Sequence, residues 1–78
     1  MNIEVYSTNT CPWCDRAKAI LDGRNLPYQE IDVSKDPEIA LDMRERSGRQ
    51  SVPQIFIDGT AIGGFEELAG MARTDQLG

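Results

Sequence analysis

Apolar and polar positions along the chain fall into seven short segments. Ile3-Glu4-Val5-Tyr6 alternates and carries β-branched and aromatic residues, which predicts a strand over residues 2–6. Ser7 to Thr10 form a polar loop. Cys14, Ala17, Ile20 and Leu21 share one face of a helix that opens with Pro12, where the missing N–H costs nothing, and closes at Gly23. Asn25-Leu26-Pro27 turns the chain into a second strand at Tyr28–Val33, with Ile31 and Val33 on its apolar face. Asp36-Pro37, a cap followed by a first-turn proline, opens a helix to about Arg46 with Ile39, Ala40 and Met43 inward, and Gly48 ends it. Pro53 precedes a third strand at Gln54–Ile57, and Asp58-Gly59 is a hairpin signal leading to a short strand at Thr60–Ile62. Gly63-Gly64 breaks the chain once more. Glu66 and Glu67 then sit where first-turn acids favour a helix, with Leu68, Met71 and Ala72 as its inner face. The tail Thr74–Gly78 is expected to fray.

The predicted order is β-α-β-α-β-β-α. Its first two strands, joined by a helix, are expected to be parallel through a right-handed crossover, and the last two form an antiparallel hairpin. The fold class is therefore α/β, a four-stranded mixed sheet flanked by three helices on its two faces. Residues 1–78 carry no repeat, low-complexity segment or linker and read as a single domain. The 40% hydrophobic and 27% charged residues suit a folded domain, although a chain of 78 residues has room only for a modest core.

Charge and residue usage narrow the chemistry. Eight Lys and Arg stand against 13 Asp and Glu, a net charge of −5, so no basic stripe exists to track nucleic-acid phosphates. The absence of histidine removes His-based acid–base catalysis and most zinc sites. Apolar runs are too short to span a bilayer, and Met1-Asn2-Ile3-Glu4-Val5 has neither the basic region nor the apolar run of a secretory leader. Two cysteines in such a chain fit a cytosolic thiol pair, and a cytoplasmic location is expected.

The sharpest chemical signal is Cys11-Pro12-Trp13-Cys14, which follows a predicted strand and opens a predicted helix. Cys11 at the helix start faces free N–H groups and the positive end of the dipole, which favour thiolate over thiol. Cys14, three residues on, lies on the same face within disulfide reach. In this reading Cys11 attacks and forms a mixed disulfide, Cys14 resolves it, and Pro12 fixes the turn between them. The alternatives are a pair of buried core cysteines, or half of a zinc site completed by another chain; a site within this chain lacks two further ligands. Trp13, beside the nucleophile, reads as a partly exposed contact surface, and Tyr6 and Phe56 as packing residues. Pro53 by itself is compatible with a strand-opening proline, and Gly63-Gly64 with a plain turn and helix cap.

The combination of CPWC after a short strand, Ser51-Val52-Pro53 before a third strand, and Gly63-Gly64 followed after one residue by two acids resembles the glutaredoxins. It is most similar to the small bacterial dithiol type, glutaredoxin 3, over nearly the whole chain, including Arg46-Ser47-Gly48-Arg49 and Val52 to Asp58. The resemblance implies a thioredoxin-like fold and a glutathione-dependent thiol-disulfide oxidoreductase. It further implies that Pro53 follows a cis peptide bond beside the catalytic Cys11. Val52 then offers its backbone to the cysteinyl part of glutathione, and Gly64, Phe65 and Glu66 receive the γ-glutamyl end. With Ser51 and Pro53 these are the expected glutathione-binding residues; Arg49 and Gln54 are weaker candidates for orienting a glutathione carboxylate.

Several positions depart from the family pattern. Thr8 stands where a lysine is common, Trp13 replaces a tyrosine, Ser51 a threonine, Phe65 a frequent cysteine, and Glu66-Glu67 an Asp-Asp pair. The implied activity is reduction of protein disulfides and glutathione mixed disulfides by a monomer, with glutathione as co-substrate and no metal, nucleic acid or membrane involved. Ribonucleotide reductase is a client at the level of the family. Two other readings share the fold: a glutaredoxin-like redoxin reduced by thioredoxin reductase, and an iron–sulfur carrier, which Pro12 disfavours.

Overall fold

The computed structural model describes residues 1–77. Seven elements follow in the expected order: β1 (Ile3–Ser7), α1 (Pro12–Gly23), β2 (Gln29–Asp32), α2 (Pro37–Ser47), β3 (Gln54–Ile57), β4 (Thr60–Gly63) and α3 (Phe65–Arg73). The sheet runs β2-β1-β3-β4. β1 pairs parallel with β2 and antiparallel with β3, and the β3–β4 hairpin is antiparallel.

Strand pleating sends successive side chains to opposite faces and so divides the interior in two. Ile3, Val5 and Ile55 pack with Ala17 and Leu21 of α1 and Leu68 of α3 on one face. Tyr6 and Phe56 meet Met43 of α2 on the other. The Tyr6 and Phe56 rings lie edge to face at 5.3 Å, the packing role expected of them. Tyr6 also has a polar role, since its hydroxyl donates to Asp42 Oδ2 at 3.0 Å and accepts from Arg46 Nη1 at 2.7 Å.

Local chemistry explains most boundaries. The Asp36 side chain accepts from Glu38 N at 2.9 Å and caps α2, and Gly48 ends that helix at φ +75°. Asp58 and Gly59 both take positive φ, the pair a tight hairpin requires. A bulge opposite Ile55 and Phe56 prolongs β4 by one residue, to Gly63.

Four expectations need correction. β1 covers residues 3–7 rather than 2–6, because Ser7 pairs with Asp32 and its carbonyl accepts from Val33 N. β2 is confined to Gln29–Asp32, with Tyr28 and Val33 flanking it. Gly23 does not close α1: it is the last helical residue, Arg24 caps the helix, and Asn25 takes the left-handed conformation at φ 56°. The tail is not frayed over Thr74–Leu77. Asp75 turns the chain at φ 58°, Gln76 N donates to Met71 O, and Leu77 is buried in the α1–α3 core, 1% exposed. Gly78, the end of that predicted tail, lies outside the described residues.

Candidate active site

Residues 8–10 lead from β1 to Cys11, which is extended and is the N-cap of α1. Its Sγ accepts a hydrogen bond from Cys14 N at 3.0 Å, so the sulfur takes the place that a Ser or Asp oxygen usually fills at a helix start. Pro12 occupies the first helical position, and Asp15 N donates to Cys11 O to close the first turn. Cys11 and Cys14 are joined as a disulfide, their Cα atoms 5.2 Å apart. When that bond is open, the amide aimed at Cys11 Sγ and the positive helix end both favour its thiolate. The two sulfurs differ in access: Cys11 is 8% exposed and Cys14 is 0% exposed.

The Val52–Pro53 bond is cis, as the resemblance implied. Val52 precedes the β3 ladder, and its carbonyl oxygen lies 3.8 Å from Cys11 Sγ. The start of α3 is drawn against the same turn. A Cβ on Gly64 would lie 3.2 Å from Pro53 O, closer than most side chains tolerate, so glycine lets the two segments approach. Together these segments border an open cleft of about 240 Å³. Ser51, Val52 and Pro53 form one wall; Gly64, Phe65 and Glu66 form the other. Trp13 completes the end near the cysteines. It is 51% exposed, with Phe65 at 5.3 Å and the Arg16 guanidinium 4.5 Å above its ring. Six sequence-expected ligand residues thus share one cleft with Trp13, while Pro12 points to solvent.

Arg49 and Gln54 also line the cleft, but both side chains are already engaged. Gln54 Nε2 donates to Ser51 O at 2.9 Å and shapes the turn from within. Arg49 Nη1 lies 3.1 Å from Glu67 Oε1. The sequence reading names Glu67 in the motif but gives it no place at the site. The same oxygen accepts from Gly64 N at 2.7 Å, and the hydrogen bond from Gly64 N–H, then that from Arg49, hold its carboxyl below the usual range. The available signal is the spacing of a capping box, an N-cap followed three residues later by Glu, which the reading of Glu67 as a first-turn acid and as the second acid of the glycine-pair motif does not use. Among the described residues, no group of three or more His, Cys, Asp or Glu side chains is placed to hold a metal ion.

A cysteine pair at a helix start thus lies beside a cis-proline turn. A family model described as Glutaredoxin matches residues 3–62, which include both cysteines and Pro53. The chain belongs to the glutaredoxin family. Glutaredoxin 3 of Escherichia coli (strain K12) is 45% identical to it over 67 residues, 86% of this chain and 81% of that one. The solution structure of glutaredoxin from Brucella melitensis is similar at TM-score 0.86 and 39% identity, covering 99% of this chain and 84% of that one. The crystal structure of a buckwheat glutaredoxin–glutathione complex is similar at TM-score 0.88 and 28% identity, covering 96% and 71%. A glutaredoxin with this cysteine pair is a thiol-disulfide oxidoreductase, and Cys11 and Cys14 are its redox couple.

Proposed function

We propose that this chain reduces protein disulfides and glutathione mixed disulfides with glutathione as the electron donor. The observation that carries the reading is the unequal access of the two sulfurs beside a ligand-sized cleft. The likeness to the buckwheat glutaredoxin–glutathione complex supports glutathione as the occupant.

The unequal access of the two sulfurs supports the following steps. With a glutathione mixed disulfide, Cys11 thiolate attacks the glutathione sulfur and the client leaves as a thiolate. A second glutathione thiolate then attacks that same glutathione sulfur, releasing oxidised glutathione and regenerating Cys11 thiolate. With a protein disulfide, Cys11 forms a mixed disulfide with the client. Cys14 loses its proton and attacks Cys11 Sγ, which frees the reduced client and leaves the Cys11–Cys14 disulfide. Two glutathione molecules, oxidised to their disulfide, return the enzyme to the dithiol. Val52 backbone groups suit the cysteinyl part of glutathione as a short strand-like pairing, and Glu66 suits its amino group. The N–H groups at the start of α3 suit its carboxylate.

The test is NADPH consumption on a glutathione mixed disulfide and on a protein disulfide. One arm contains glutathione and glutathione reductase, the other thioredoxin reductase. Turnover in the first arm is expected; turnover confined to the second would identify a thioredoxin-reductase-dependent redoxin instead. Cys11→Ser is expected to abolish both reactions. Cys14→Ser should retain reduction of the glutathione mixed disulfide while losing the dithiol reaction, and equal loss of both would contradict the mechanism.

A further inference from the structure

The cleft carries a carboxylate of its own. Glu67 Oε1 lies 2.7 Å from Gly64 N and 3.1 Å from Arg49 Nη1, and all three residues border the cleft. Arg49 is the one cation among the described residues that line it, against the two acids Glu66 and Glu67. Glutathione brings two carboxylates and one ammonium, so an anionic ligand enters a cleft whose formal charge is already negative. A guanidinium forks well onto an incoming carboxylate, but here its near edge faces an internal one.

We propose that Glu67 sets the ligand preference of this glutaredoxin by holding Arg49 in an internal ion pair, which a ligand carboxylate must displace. The inference rests on the glutathione reading above and adds its regulation. The consequence is a bias away from doubly carboxylated small thiols and toward polypeptide partners, whose cysteine carries no free carboxylate. Exposure keeps the effect moderate, since Arg49 and Glu67 side chains are 53% and 40% exposed.

Capping and charge can be separated by substitution. A Gln at the third helical position still offers an acceptor to Gly64 N but carries no charge with which to hold Arg49. S-methylglutathione, which cannot exchange disulfides, is titrated into the reduced protein, with fluorescence of the single tryptophan, Trp13 at the cleft, as the readout. Glu67→Gln is expected to lower Kd roughly threefold at low salt, the scale of one exposed ion pair, and the gain should shrink as salt rises. The double variant Glu67→Gln with Arg49→Gln should bind no better than Arg49→Gln alone. Glu67→Asp, whose shorter carboxylate keeps the charge but retreats from Arg49, should show a smaller gain and covers the case of a misfolded Gln variant.

An unchanged or higher Kd in both Glu67 variants, or a gain that survives without Arg49, overturns the inference and leaves the glutathione reading standing. No saturable response in any variant, in a protein that still turns over with thioredoxin reductase, overturns both.

Discussion

Cys11 Sγ accepts one backbone hydrogen bond at the start of α1. The amide of Cys14 points at its sulfur, so in the proposed cycle the residue that resolves the mixed disulfide also steadies the thiolate that forms it. Gly63 supports the opposite wall in a different way. It holds φ +115°, and a Cβ there would fall on the Glu67 carboxylate that caps α3. Gly63→Ala therefore combines a disfavoured backbone with displacement of that carboxylate, and a loss of about 1–3 kcal/mol is expected in urea unfolding. A value within ±0.5 kcal/mol would mean that Glu67 moves aside freely. Residues of this kind were partly legible. CPWC announces itself through helix-start chemistry, and the glycine pair through turn chemistry. The Arg49–Glu67 pair was not legible, because its partners are 18 residues apart and only the close approach of α3 to the Pro53 turn brings them together.

At the scale of elements, the edge strand β2 is tied inward by one carboxylate. Glu30 accepts from Lys18 Nζ on α1 at 2.7 Å and from the buried Ser7 hydroxyl on β1 at 2.9 Å. The Lys18 hydrogen bond first, then that of Ser7, keeps the Glu30 carboxyl below its ordinary range. A carboxyl whose value is lowered by folding stabilises the protein above its unfolded value, and that contribution disappears as pH falls through the folded one. Glu30→Gln should thus lower the urea midpoint at neutral pH and give a shallower acid limb, with the two proteins converging once the pH has fallen below the lowered folded-state value of Glu30. An exposed pair of this type is worth about 0.2–1 kcal/mol, so parallel curves would rule the link out. The elements themselves were readable wherever a local signal starts or stops them: Asp36-Pro37, Gly48 and Asp58-Gly59 all act as their chemistry suggests. Edges set by distant partners were not. Ser7 joins β1 only because Asp32 and Val33 lie beside it, a contact that has no trace in the residues around Ser7.

For the whole molecule, the constraint is the small interior divided by the sheet. Leu77 joins the α1–α3 core from beyond the last helix, held by the turn at Asp75. Domains of this size have only about 5–15 kcal/mol of net stability, so one buried leucine is a large share of it. Leu77→Ala is expected to cost about 2–4 kcal/mol and to lower Tm by roughly 10 °C or more. A shift below about 2 °C would restore the frayed tail that the polar run Thr74-Asp75-Gln76 suggests. That run misled because composition describes solvent exposure on average, whereas Asp75 at positive φ reverses the chain and delivers the one apolar residue to the core. The fold class, by contrast, was fully legible, since alternation, helical stripes and turn residues all agree on one order of elements.

The burial of Cys14 also limits how many species the redox cycle can contain. An asymmetric disulfide opened by an external thiol ordinarily gives two isomeric adducts, which then interconvert. Here Cys14 is fully buried and Cys11 is the more accessible sulfur, so under the proposed mechanism an incoming sulfur is expected to meet Cys11. In the proposed cycle all adducts then form on one sulfur, and Cys14→Ser should accumulate a single mixed disulfide with a protein client when no glutathione is present to release it.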